Sequence, residues 1–300
     1  MISPAQFRPS PTPSVPDPPH HLSSPPSWDV AVSLGAFGRY LPAWVALDRA
    51  ENTVATQPVL SSLIHSLRGS HLRQIGAVEE AVAQDAQALD LVVQMSDERA
   101  LSEPMSLAAV IDARLGVAAD GIAAGAADDA TRQLHLVEDL ITSAGNTMDE
   151  TVDNAQGFFS LWRLRTRSAW VSAELALLVG ETELARSHVE RACRESAAMS
   201  SRHRAKSEAI RAAVAVAQGD HQAANAAVHA VWRIAVRRGW LSLVWPLALI
   251  GLDADPSVDR RLLEAGTHAT WTIEAHLPGN LTGPWRARDD VGRLRSAAAG

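Results

Sequence analysis

The chain has 300 residues, 47% of them hydrophobic, with a net charge of −7 and a single cysteine, Cys193. That length accommodates one large core, two domains or a repeat array, while one cysteine excludes an intrachain disulfide and a thiolate zinc cluster. The charge is uneven, with 8 basic and 19 acidic residues over 1–150 against 19 and 15 over 151–300, and the acidic balance argues against nucleic acid as a partner, because duplex binding needs phosphate neutralisation.

Residues 1–27 are rich in Pro and Ser with a His20-His21 pair, and bury too little apolar surface to offset the entropy of ordering. A disordered tail is expected there. A helical repeat domain is expected over 28–255, and a capping helix with a frayed tail over 256–300. The N-terminus lacks a basic region followed by an apolar core, so a cytoplasmic location is expected. The longest apolar run, Trp240–Leu252, is too short to span a bilayer and contains Pro246, so no membrane insertion is expected.

Abundant alanine and few aromatics favour helix over sheet. The clearest helix follows "VAQGDHQAAN", residues 216–225, where Ala223, Ala224, Ala227, Val228, Val231, Trp232, Ala235 and Val236 form one apolar stripe. Asp220 is placed to cap that helix, and Gly219 and Gly239 are placed to end helices. The same stripe occurs 39 residues earlier, with Gly180 on Gly219. Four glycines, Gly76, Gly125, Gly180 and Gly219, are each followed five residues later by an alanine: Ala81, Ala130, Ala185 and Ala224. Seven residues before each stands a small residue: Gly69, Ala118, Ala173 and Ala212. Small side chains at both positions let two helices cross closely after a tight turn.

These positions resemble the tetratricopeptide repeat, most closely over "SHLRQIGAVEEAVAQDAQAL", residues 70–89, although the glycine spacings exceed the ordinary period of about 34 residues and Asp85 stands where an apolar residue is expected. The resemblance implies an all-α, right-handed α-solenoid of about four antiparallel helix pairs with C-terminal capping helices. It further implies a non-enzymatic scaffold that binds a protein or peptide on a concave surface lined by the first helix of each pair. Alignment on the turn glycine places Arg73, Gln74, Asp112, Arg167, Trp170, Glu174 and Lys206 on that surface.

The stretch "SSRHRAKSE", residues 200–208, carries a second expectation. Ser200 or Ser201 can cap a helix whose first turns hold Arg202, Arg204 and Lys206, the only lysine of the chain. Arg163 and Arg167 lie one turn apart on the preceding unit's first helix. Basic groups near a helix N-terminus make an anion site. A sensory or regulatory module is therefore the alternative, with a small anionic ligand near Arg163, Arg167, Arg204 and Lys206. No catalytic residue, cofactor or metal site is nominated. Glu79-Glu80 and Asp128-Asp129 fall at helix starts, where negative charge suits the dipole, and Cys193 sits on an apolar stripe as an inert thiol. Most of the tryptophans are expected in the core.

Overall fold

The structure, a computed structural model, describes residues 26–54, 57–93, 103–147, 159–197, 200–255 and 257–299. The expected tail therefore falls outside the described residues, except positions 26 and 27, which begin the first helix. Among the described residues there are fourteen helices and no strand. None of these helices is long and apolar enough to cross a membrane.

The helices pack as successive pairs: α1 (Pro26–Ala36) with α2 (Tyr40–Val54), α3 (Pro58–Ile75) with α4 (Val78–Val92), and α5 (Pro104–Ala123) with α6 (Ala127–Thr147). Then come α7 (Leu161–Leu178) with α8 (Thr182–Ser196), α9 (Ser201–Ala217) with α10 (His221–Arg238), and α11 (Leu241–Ala254) with α12 (Arg260–Glu274). Each second helix also packs on the first helix of the next pair.

The turn chemistry explains this path. Gly76, Gly125, Gly180 and Gly219 have φ of 81°, 72°, 79° and 74°, a region that side chains with a Cβ rarely adopt. A Cβ at Gly125, Gly180 or Gly219 would meet nothing, so backbone conformation alone demands glycine there. Asp220 Oδ1 accepts from the Ala223 N–H at 2.9 Å and caps α10, and the Ser200 hydroxyl accepts from the His203 N–H at 3.3 Å and caps α9. Ala81, Ala130, Ala185 and Ala224 are wholly buried. Ala118 and Ala130 share one core cluster, Ala173 and Ala185 another, and Ala224 packs with Ala215 and Ala254.

Gly69 has a different reason to be small. The space a Cβ would take at Gly69 on α3, and at Gly116 on α5, is filled by the carboxylate of Asp85 from α4. Asp85 is fully buried in this niche between two glycines and pairs with Arg73. The residue that departs from the repeat pattern is thus accommodated by a local deletion of side-chain volume.

The first helices also contact one another in sequence, α3 with α5, α5 with α7, α7 with α9 and α9 with α11, and α11 then contacts α1. The row closes on itself. The Ser242 hydroxyl on α11 donates to the Ala36 carbonyl of α1 at 3.0 Å, and the Leu41 N–H of α2 donates to the His276 carbonyl at 2.8 Å. The largest core cluster joins both ends, with Tyr40, Leu72, Ile75 and Ala81 alongside Trp232, Leu243, Leu262 and Ile273.

The expected frayed tail is replaced by two short helices, α13 (Gly279–Arg286) and α14 (Asp289–Ala299). Trp285 is fully buried, and its Nε1 donates to the Thr270 carbonyl at 3.2 Å. Leu281, Val291 and Leu294 bury beside it. One apolar residue per turn was enough to fasten a segment that reads as polar. Of the other tryptophans in this half, Trp162, Trp170, Trp232, Trp240 and Trp245 are buried, whereas Trp271 is 56% exposed.

Candidate functional site

The first helices bring their polar residues to the inside of the closed row. From α7 come Arg163, Arg167, Trp170 and Glu174, spaced three or four apart and so on one face. From α9 come Arg202, His203 and Lys206. Tyr40 on α2, His71 and Arg73 on α3, and Asp112 and Asp120 on α5 complete the set.

Two ion-pair systems lie on one side. Arg163 is 1% exposed and grips Asp112, with Nη2–Oδ2 at 2.6 Å and Nη1–Oδ1 at 3.4 Å. Arg167 Nε lies 3.0 Å from Asp112 Oδ1 but forms no hydrogen bond, so the contact is Coulombic only. Burial would raise Asp112, but the two guanidinium groups outweigh it and hold the carboxyl below its usual range. Arg73 pairs with Asp85 and, at 2.7 Å, with Asp120. Burial and the neighbouring Asp120 push Asp85 up to about 7, against the pull of Arg73.

The other side is cationic and less well paired. Arg202 has no acidic partner within ion-pair distance among the described residues. Its Nη2 donates to the Ser242 hydroxyl at 3.3 Å, and its buried Nε has no hydrogen-bond partner. Lys206 Nζ lies 4.4 Å from the centre of the Trp170 ring. Burial lowers Lys206 to about 8; Glu174 opposes the shift, and Arg167, Arg202 and Arg73 add to it. Between these cations sits His203, stacked on Trp170 at 5.5 Å and edge-on to Trp162 at 5.3 Å. Burial, then Arg163, Arg202, Arg167 and Lys206, drive the His203 imidazole well below its ordinary value. His71, buried with Nδ1 unpartnered, is held at about 3 by burial and by Arg202. The ring of His71 lies so close to Gly35 of α1 that no Cβ fits between them. Tyr40 stacks obliquely on His71 at 5.3 Å, donates to Gln74 Oε1 at 3.1 Å and stays protonated through burial.

No protein-family model matches the chain, and no curated protein matches it.

Of the residues expected on the concave surface or at the anion site, Arg73, Asp112, Arg163, Arg167, Trp170 and Lys206 meet inside the closed row, Glu174 lies within electrostatic reach of Lys206, and Gln74 joins through Tyr40. Arg204 is the exception: it is exposed and donates to the Ala197 carbonyl at 3.1 Å. Arg202 takes the place expected of Arg204. The signal was the i, i+4 spacing of Arg202 and Lys206, which sets them on one helix face and Arg204 on another, as it does for Arg163 and Arg167. Tyr40, His71, His203, Asp85 and Asp120 had no comparable signal, because separate elements bring them together.

A separate groove of about 460 Å³ lies outside the row, lined by Leu134 and Glu138 of α6, Leu175 of α7, and Leu184, His188 and Arg191 of α8. His188 is half-buried here. No group of three or more His, Cys, Asp or Glu able to hold a metal occurs among the described residues.

Proposed function

We propose that the chain is a tetratricopeptide-like helical module that senses a small anion bound between its first helices, at Arg202, Lys206 and Arg167. The observation that carries this reading is Arg202, a half-buried guanidinium with no carboxylate within ion-pair distance among the described residues and with its buried Nε left open. A buried cation that lacks a partner carries a desolvation penalty that a bound anion removes. Arg202 also touches the seam: its partner Ser242 is the residue that bonds Ala36. An anion that draws Arg202 away from Ser242 therefore acts on the joint between the two ends of the chain, which gives binding a route to a conformational output.

The small-ligand reading has more support than a peptide on the concave face. The first helices lie against one another, and Asp112, Asp120, Arg163 and Trp170 on their inward faces are buried, which leaves little continuous surface for an extended strand.

The test is thermal unfolding of the full chain with small oxyanions at fixed ionic strength. A rise in Tm is expected, absent in Arg202→Met and reduced in Arg167→Ala. A wild-type Tm insensitive to every anion would remove the proposal.

A further inference from the structure

Independently of the anion site, we infer that α4 is latched by a proton: Asp85, protonated in its glycine niche, donates to Asp120 and holds α4 to α3 and α5, and release of α4 gives that proton up. The geometry sets one cation between two carboxyls. Arg73 Nη1 on α3 donates to Asp85 Oδ2 and, at 2.7 Å, to Asp120 Oδ1 on α5. Arg167 acts on Asp85 from α7, but its Nε lies 3.0 Å from a different carboxylate, Asp112. One guanidinium compensates one carboxylate, so a second ionised carboxyl in the same enclosed cluster is costly.

The oxygen positions place the proton. Of the two Asp85 oxygens, Oδ2 is the nearer to Gly69 on α3 and Oδ1 the nearer to Gly116 on α5. Oδ2 takes the bond from Arg73. Oδ1 is buried, and as a bare carboxylate oxygen it meets no donor. Asp120 stands four residues after Gly116, one turn along the same helix face. A proton on Asp85 therefore has an acceptor, and its bond to Asp120 draws the Asp120 carboxyl down. Asp85 has no exposed surface and keeps the proton, while Asp120, 6% exposed, accepts. Burial and then Asp120 raise Asp85 to about 7, against Arg73 and Arg167. Of the other titratable groups around this helix, His65 of α3 meets Gln84 and Glu51, and Glu79, Glu80 and Asp90 of α4 are exposed. Once out of the niche, the Asp85 carboxyl meets water and ionises at its ordinary value of 3.8. Opening of α4 is thus favoured about tenfold more for each pH unit from roughly 4 to 7 and levels off above, so the latch is tightest in acid.

The measurement is hydrogen exchange of the full chain between about pH 5 and 8, corrected for the intrinsic pH dependence of amide exchange, together with the infrared band of protonated carboxyl groups. Protection over residues 78–92 is expected to fall about tenfold per pH unit up to about 7 and then level, while α8, remote from the cluster, does not follow. The carboxyl band is expected to persist at about pH 6, above the ordinary carboxylate range, and to fade near 7. Asp85→Asn, a neutral isostere that still donates, is expected to abolish both the slope and the band. Asp120→Asn, which removes the neighbouring charge, is expected to lower the pH at which the band fades. A slope shared equally by α8 would overturn the latch and assign the proton to the fold as a whole. A band that survives Asp85→Asn would place the proton on another residue. A fading point unmoved by Asp120→Asn would overturn the sharing between the two carboxyls. A wild-type protection profile flat in pH would remove the inference and leave the anion reading untouched.

Discussion

Arg163 is buried and Arg202 half-buried, and their neighbours give them opposite energetic roles. Arg163 is paired with Asp112, so Asp112→Ala removes the carboxylate that Arg163 and Arg167 share and is expected to cost about 3–5 kcal/mol in denaturant unfolding. Arg202 is stranded already. Arg202→Met is therefore expected to raise the Tm of the ligand-free protein, by about 2 °C for each ~1 kcal/mol relieved, while it abolishes the anion response. Stabilisation coupled to loss of binding is the mark of a group kept for a ligand. Lys206 adds a pH signature. Its amine titrates near 8, while His71 and His203 are neutral throughout and Tyr40 remains protonated, so anion affinity is expected to fall as pH rises past about 8. Lys206→Arg, which cannot deprotonate there, is expected to flatten the profile in titrations between pH 7.5 and 9.5. Asp85 titrates on the other flank. Its folded value, about 7, lies above its ordinary 3.8, so the folded state holds the extra proton and stability is lost as pH rises from roughly 4 to 7. Asp85→Asn is expected to remove that slope, measured as unfolding free energy against pH.

At the scale of the helix pair, the turns and crossings were the legible part. Gly180 has left-handed backbone and empty space around it, so Gly180→Ala is expected to cost about 1 kcal/mol through conformation alone. Ala185 is wholly buried against the partner helix cluster, so Ala185→Leu is expected to cost about 1–3 kcal/mol or more by overpacking, with a changed Tm as the readout. Both features show in sequence because turn conformation and crossing distance select residue types within a few positions of one another. Gly69 shows the limit of that logic. It obeys the spacing rule, but what fills its missing volume is a carboxylate from the second helix, and that identity depends on Arg73 and Asp120 arriving from two helices. The same holds for α13 and α14. Their sequence is polar and proline-containing, and only the receiving surface of α11 and α12 makes a helix of it.

For the whole molecule, closure is the property that local patterns do not encode, because it depends on contacts between residues about two hundred positions apart. Arg288, in the link between α13 and α14, lies over Trp245 and Trp285 and fills the space beside Gly76 at the α3–α4 turn. Trp285→Ala is expected to cost about 3–5 kcal/mol. Hydrogen exchange is expected to rise not only in α13 and α14 but also at residues 75–78, a remote effect that an open array would not show.

The bond from Ser242 to Ala36 gives the molecule the mechanics of a hoop, not of a spring. A spring lengthens by sharing a small change of pitch among all its coils, and each coil feels little. A hoop has no such freedom, so whatever strain a ligand introduces gathers at the clasp, and the clasp here is the residue that Arg202 holds.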